Sequence, residues 1–308
     1  MYKEVFRLAT LLAFVALATS RLGLVGHELI GHGGMARLCG LRIDDVQLFW
    51  FAGGWIRYHL AGESSLASAI AVSLAGIALE LVVGTALCML VRRPTLGGRL
   101  VRGIGIALVV HASWYLAAGT FHGFGDGIVL YRVLGAWRVL IAVAAGLITC
   151  AATFFGARML LGVLIATLPG SRRARMIGVL LAVLFAGGLH AGLAAGELAL
   201  RRDDTYGQLM QHERERKIAI AMQRWQQEHA DVSATDMRAE RARLERANRT
   251  FPFVWLLAAA TLAAAIAGAW RARSYPDQRI SNRLVAIFGA VAAGAICIVV
   301  AIDALVAM

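Results

Sequence analysis

The sequence predicts an all-α polytopic membrane protein of about six to eight transmembrane helices, with a short membrane-associated β-hairpin and a polar amphipathic-helix insertion. Three observations carry that expectation. Of 308 residues, 59% are apolar and only 16% charged, and the mean hydropathy is +0.68, a balance that a soluble globular domain could not shield from water. Apolar runs long enough to cross about 30 Å of hydrocarbon recur along the whole chain. Alanine, leucine and glycine dominate those runs without the alternation of a lipid-facing strand, so helices must satisfy the backbone in lipid.

The runs fall at 8–26, 66–91, 103–121, 139–168, 176–200, 253–270 and 284–308. The first twenty residues have the layout of a signal peptide, basic, then apolar, then small. Cleavage near Ser20 would fall just before His27, and the segment is read as a retained helix. Residues 40–60, "GLRIDDVQLFWFAGGWIRYHL", are rich in β-branched and aromatic types and are broken at Gly53–Gly54. They read as a strand pair or re-entrant loop, a backbone tolerated near a membrane where it is buried in protein or lines a wet cavity. Residues 201–249 are polar, with Ile218, Met222 and Trp225 at helical spacing, and predict one or two amphipathic helices outside the bilayer. The organisation expected is a membrane core at 1–136, further transmembrane helices at 137–200, the polar segment at 201–250 and a C-terminal helix pair at 251–308.

The formal charge is +12, yet the basic residues sit at the ends of apolar runs and form no stripe with interleaved aromatics. Membrane orientation accounts for that pattern better than nucleic acid, and the expected contacts are the lipid bilayer and no nucleic acid. Arg92, Arg93, Arg99 and Arg102, with Lys3 and Arg7 at the amino terminus, argue for one cytoplasmic end; Arg37, Arg42 and Arg57 pull the other way. Cys39, Cys88, Cys150 and Cys297 show no CxxC spacing and read as packing residues.

Titratable side chains inside membrane segments are costly and are functional candidates by default. The densest group is "GHELIGH" (26–32). Two histidines four apart, with a glutamate beside the first, would share a helical face and place a zinc-binding pair next to a general base. Here the spacing is five, which on a regular helix turns the imidazoles about 140° apart. A π-bulge near Ile30, eased by Gly31 and Gly33, would bring His27 and His32 back to one face. A regular helix would instead pair Glu28 with His32, and His122 with Asp126, as a carboxylate–histidine site. Zinc with an open position needs three protein ligands, and "FHGFGDG" (121–127) offers Asp126 as the third. His111 and Asp303 read as interhelical hydrogen-bond partners. His190 and Glu197, seven apart on one helical face, should pair with each other or with a neighbouring helix.

The run "HELIGHGGMARLCGLRIDDVQL" resembles the metal helix and following strand of the site-2 protease family, the intramembrane zinc metalloproteases. "SLAGIALELVVG" (73–84) is similar to that family's third-helix signature, Ser-x-Ala-Gly-Pro followed by Asn. "WYLAAGTFHGFGDGIVLYRVLG" (114–135) is similar to its segment ending in Leu-Asp-Gly. The resemblance spans about residues 10–136. It implies zinc ligands His27, His32 and Asp126, with Glu28 activating the bound water, and His122 as an additional neighbour. It also implies substrate contacts at Gly53, Gly54 and Glu80, transmembrane helices as substrates, and a bacterial inner membrane as the location. The departures from the family pattern are the inserted Ile30, Ile77 in place of its proline, Glu80 in place of its asparagine, and Tyr115-Leu-Ala-Ala in place of its Asn-x-x-Pro. A catalytically inactive member that binds membrane helices, or another metal-dependent membrane enzyme or transporter, is the alternative.

Overall fold

The structure, a computed structural model, describes residues 1–59, 65–91, 93–201, 205–229, 233–250, 253–273 and 275–306. Arg92 of the basic loop and Leu60 at the end of the hairpin segment lie outside the described residues. Seven stretches, Tyr2–Leu38, Leu66–Leu90, Leu96–His122, Trp137–Ile165, Arg172–Arg201, Phe253–Trp270 and Asn282–Val306, are long and apolar enough to span a membrane.

In chain order, α1 (Tyr2–Val25) runs without a break into a π-helical segment (Gly26–Gly33) and the short α2 (Gly34–Leu38). Strands β1 (Arg42–Leu48) and β2 (Gly54–His59) follow, then α3 (Leu66–Leu90) and α4 (Leu96–His122). A 3₁₀ turn (Gly125–Gly127) leads to α5 (Ile128–Val133), α6 (Trp137–Ile165) and α7 (Arg172–Arg201). The polar segment forms α8 (Thr205–Glu228) and α9 (Ala234–Thr250), and α10 (Phe253–Trp270) and α11 (Asn282–Val306) complete the chain.

Local chemistry sets the boundaries. Ser65 and Thr95 cap α3 and α4 by accepting from the backbone N–H of Ser68 and Gly98, each satisfying a donor that the first helical turn leaves unpaired. α4 stops at Gly123, which takes the left-handed conformation at φ +70° and donates to the Gly119 carbonyl, as a terminating glycine should. That stop throws the chain into the Gly125–Gly127 turn carrying Asp126. The hairpin is antiparallel, with Val46 opposite Ile56 and Leu48 opposite Gly54, and it bulges at Asp44. Of the two readings of 40–60, the strand pair is the one formed, and Gly53–Gly54 lies at its turn.

α1 packs on α7 and α11, and α4 on both α3 and α6, with α10 outside α6. A core of Leu8, Leu11, Leu100, Val163, Val179 and Phe288 ties five of these helices together at the end where the chain begins. Small residues let the other contacts close. An added Cβ at Gly84 would sit 2.6 Å from the Gly105 carbonyl oxygen, and the reverse holds at Gly105, so α3 and α4 cross backbone to backbone as helices in lipid do at such patches. In the arm, Ile218 of α8 is buried, while Arg224 donates to the Arg132 carbonyl at 2.9 Å and seats α8 against α5. The four cysteines are free thiols, and Cys297 is exposed.

Another close backbone approach lies at Gly31, where an added Cβ would be 2.6 Å from Gly76 Cα. Backbone cannot move aside as a side chain can, so Gly31→Ala should lower stability by about 1–3 kcal/mol. Gly188→Ala, at a helical site with nothing within 4 Å, should be neutral or stabilising by up to about 1 kcal/mol. Thermal melting of the two variants in one detergent checks this, and equal melting points would show the Gly31 contact to be soft.

Candidate metal centre

Five-residue spacing is resolved by the backbone itself. The helix widens to π over Gly26–Gly33, the wider ring absorbs the extra residue, and His27 and His32 return to one face with ring centroids 4.8 Å apart. Ile30 is exposed on the opposite side. The regular-helix geometry, and with it the site built from Glu28, His32, His122 and Asp126, is therefore not the one formed. Gly31 and Gly33 contribute by close packing rather than unusual torsions, since neither has a positive φ.

Asp126 arrives from the other side. Its Oδ2 lies 2.9 Å from His27 Nε2 and 3.1 Å from His32 Nε2, and the two Nε2 atoms are 3.2 Å apart. The three side chains form the one group of its kind found among the described residues that could hold a metal ion. The Asp126 turn is fixed by another tight contact, because a Cβ at Gly127 would fall 2.1 Å from the Gly119 carbonyl carbon of α4. Gly125 sits at φ +49° under the Tyr115 hydroxyl.

The surrounding contacts decide where the protons lie. His32 Nδ1 is 2.6 Å from the Val72 carbonyl oxygen, which can only accept, so Nδ1 carries the hydrogen and Nε2 of the neutral ring presents a lone pair. His27 Nδ1 lies 3.3 Å from Glu80 Oε1 without hydrogen-bond geometry, while its Nε2 is turned inward to Asp126. Glu80 in turn pairs with His111 Nδ1 at 2.7 Å. The three polar atoms then converge within about the 3.3 Å separation expected of ligands around tetrahedral zinc. Atoms so placed are bridged either by a shared proton or by a cation, and the set of two imidazoles and one carboxylate suits a divalent metal. The residues present fit a metal ion.

The remaining candidates divide. Glu28 is half-buried and lies in the electrostatic field of His27, His32, Asp126 and Glu80 without being one of the three convergent groups. Glu80 is buried behind His27. His122 is packed among Phe121, Phe124 and Phe253 and is not one of the three. β2 runs beside the π segment: a Cβ at Gly54 would meet Leu24 Cδ1 at 3.3 Å, and one at Gly33 would meet Ile56 Cδ1 at 3.1 Å. Gly53 accepts from the Phe49 N–H across the turn. His190 and Glu197 do not pair with each other. His190 Nε2 reaches Ser20 Oγ at 3.5 Å, while Glu197 accepts from the backbone N–H groups of Trp50, Phe51 and Ala52 at 2.6, 2.6 and 3.1 Å. Asp303 accepts from Trp50 Nε1 and Arg201, so α7 and α11 together hold the hairpin turn.

Two supporting elements escape sequence reading. The Val72 carbonyl leaves no mark in residue identity. His111 reads alone as an interhelical partner, although the spacing of Val72, Gly76 and Glu80 by fours puts all three on the α3 face that meets His27 and His32. Compared with protein-family models, with curated proteins and with solved structures, the chain matches none.

A carboxylate that orients a ligating imidazole is typically worth about 10–100-fold in metal affinity. Glu80→Gln should therefore weaken zinc or cobalt binding by about that factor. His190→Ala should leave metal affinity unchanged and only lower the melting point. Calorimetric titration of both variants with each metal measures this, and a metal-binding loss in His190→Ala would show that the site extends to α7.

Proposed function

We propose that this protein is a zinc-dependent intramembrane endopeptidase, of the kind that the resemblance to the site-2 protease family implies, cleaving transmembrane helices unwound beside the site. The observation that carries the proposal is the convergence of His27, His32 and Asp126 on one point within a membrane-spanning bundle, with a carboxylate at Glu28 next in sequence to the first of them. Zinc held by these three would supply a Lewis acid and lower the pKa of a bound water to about 7.

The chain's own residues perform the rest. Glu28 accepts the proton of the attacking water and returns it to the leaving amine, the task of a positioned general base that then acts as an acid. Val72 and Glu80 hold the His32 and His27 rings so that their Nε2 atoms stay inward. The hairpin, fixed at its turn by Glu197, lies along the π segment, where an unwound peptide could find backbone partners; a peptide bond inside an intact helix is shielded by its own hydrogen bonds and must be unwound before attack. His111 is largely exposed from α4 although it pairs with buried Glu80, and a histidine so placed favours a wet opening from α4 towards the site.

About one zinc per chain is expected, lost when His32 or Asp126 becomes alanine. Deleting Ile30, which is exposed on the π turn, restores four-residue spacing and should leave zinc in place.

Glu28→Gln separates base from ligand. As a base, its replacement should keep zinc stoichiometry and fold while lowering cleavage of a reporter helix by about 10²–10⁴-fold. Zinc per chain and reporter cleavage, measured on variant and parent together, provide the test. Loss of zinc from Glu28→Gln would make Glu28 a ligand and overturn this assignment of roles. Retained zinc with no cleavage in either protein would leave a helix-binding, inactive protein as the reading.

A further inference from the structure

At the end of the bundle opposite the metal centre, a cavity of about 460 Å³ opens where α3 ends, α4 begins, α6 passes and the chain leaves α10. Five arginines line it, Arg93, Arg99, Arg102, Arg158 and Arg273, and no acidic residue does. Like charges gathered in one cavity repel, and a folded chain ordinarily intersperses carboxylates among them. Here none of the five forms an ion pair with a described residue. Arg99 Nη1 and Arg158 Nε are moreover buried without an acceptor among the described residues. A buried guanidinium donor without an acceptor is costly, so these two observations point independently to an anion.

The cavity is built rather than incidental. The Arg99 guanidinium stacks 3.8 Å from the Tyr275 ring centroid, which orients its plane and leaves its edge donors to face a ligand. Arg273 and Tyr275 both lie against α6 at Gly162, where an added Cβ would sit 2.1 Å from the Arg273 carbonyl oxygen and 3.0 Å from the Tyr275 ring. Gln278 N–H then donates to the Ala166 carbonyl at 2.8 Å and fixes the same segment further on.

The geometry points to a binding site for a phosphate group, presented by the bilayer as the headgroup of an anionic phospholipid. Planar forks of N–H donors match phosphate oxygens two at a time. The cavity's other wall, Ile106, Phe155 and Met159, is apolar, and Phe155 is exposed from the bundle, as the first carbons of an acyl chain would require. Lys3, Arg7, Arg172, Arg173, Arg279 and Arg283 lie at the helix termini of this same end. Basic pockets between helices at a membrane surface take up acidic headgroups. A soluble phosphate ester shares the chemistry, and the experiment distinguishes the two sources.

Purified full-length protein in zwitterionic detergent is titrated with phosphatidylglycerol, phosphatidylcholine or inorganic phosphate, with bound ligand read by native mass spectrometry. The parent should prefer phosphatidylglycerol to phosphatidylcholine by about 10-fold or more, because each charge-assisted hydrogen bond contributes on that order. Arg99→Gln/Arg158→Gln should abolish that preference. Arg172→Gln/Arg173→Gln, which removes equal charge at the same end but outside the cavity, should keep it. Arg102→Gln, at an exposed position, gives a milder version of the same loss should the double variant not fold. Saturable binding of inorganic phosphate, lost in the cavity variant and unaccompanied by lipid preference, keeps the phosphate site and makes its ligand soluble. Equal losses in the cavity and control variants, or no preference and no phosphate binding in the parent, would overturn the site. None of these readouts depends on zinc or on cleavage, so the result stands apart from the proposed peptidase activity.

Discussion

The contact between Gly31 and Gly76, two backbones with no side chain between them, is the constraint on which the metal centre depends. It lets α3 lie directly on the π segment, and every support of the two imidazoles follows from that closeness. Val72 and Glu80 stand one turn to either side of Gly76 on the same face, so the first brings its carbonyl to His32 and the second its carboxylate to His27. Gly76 also faces the His27 ring, where an added Cβ would lie 2.7 Å from Nε2. A methyl group at either glycine pushes α3 outwards and disturbs both supports together. Asp126 rests on a similar device, Gly127 against the end of α4, so the site is assembled by two glycine contacts, one between elements distant in sequence and one within a tight local turn.

The spans were legible because hydrocarbon imposes a length and a composition that no other solvent does. The π turn was legible as one of two geometries: the five-residue spacing either widened the helix near Ile30 or left Glu28 and His32 to share a regular face, and the packing of Gly31 on Gly76 belongs to the first. Asp126 could be matched to the metal helix only through the order of motifs. Its actual position depends on Gly123, Gly125 and Gly127 acting in succession, which sequence records but does not convert into a direction. The role of Glu80 was less accessible. It reads as a departure from a family asparagine, and only the packing of α3 against the π segment turns it towards His27. Glu197 likewise looked like half of a helical pair with His190, whereas three unpaired backbone N–H groups at the hairpin turn offer a buried carboxylate more than one imidazole can.

The two ends of the bundle are built on opposite electrostatic plans. At the metal end, carboxylates are buried or half-buried and meet specific partners: Asp126 the two imidazoles, Glu197 the backbone amides and Arg201, Asp303 Trp50 and Arg201. Buried Arg21 donates to the Phe49 carbonyl and to Ser20, extending this network back to α1. Such mutually satisfied groups rigidify their surroundings, which suits a site whose ligands must hold position. At the other end, five arginines and no acid line the cavity, and two buried donors, Arg99 Nη1 and Arg158 Nε, meet no acceptor among the described residues, an arrangement that an anion from outside the chain would complete.

Charge balance bears on what occupies the metal end. Glu28, Glu80 and Asp126 bring three carboxylates around His27 and His32. Protons placed between the Nε2 atoms and Asp126 relieve the local repulsion, but at His32, whose Nδ1 already donates to Val72, such a proton makes the ring cationic 4.8 Å from His27 in a membrane interior. A divalent cation relieves the same repulsion with its charge at the point where the three lone pairs meet, leaves both rings neutral, and lowers the net charge of the cluster in a medium where an uncompensated charge is costly. A divalent cation and a set of shared protons are thus the two states in which His27, His32 and Asp126 can meet at this distance.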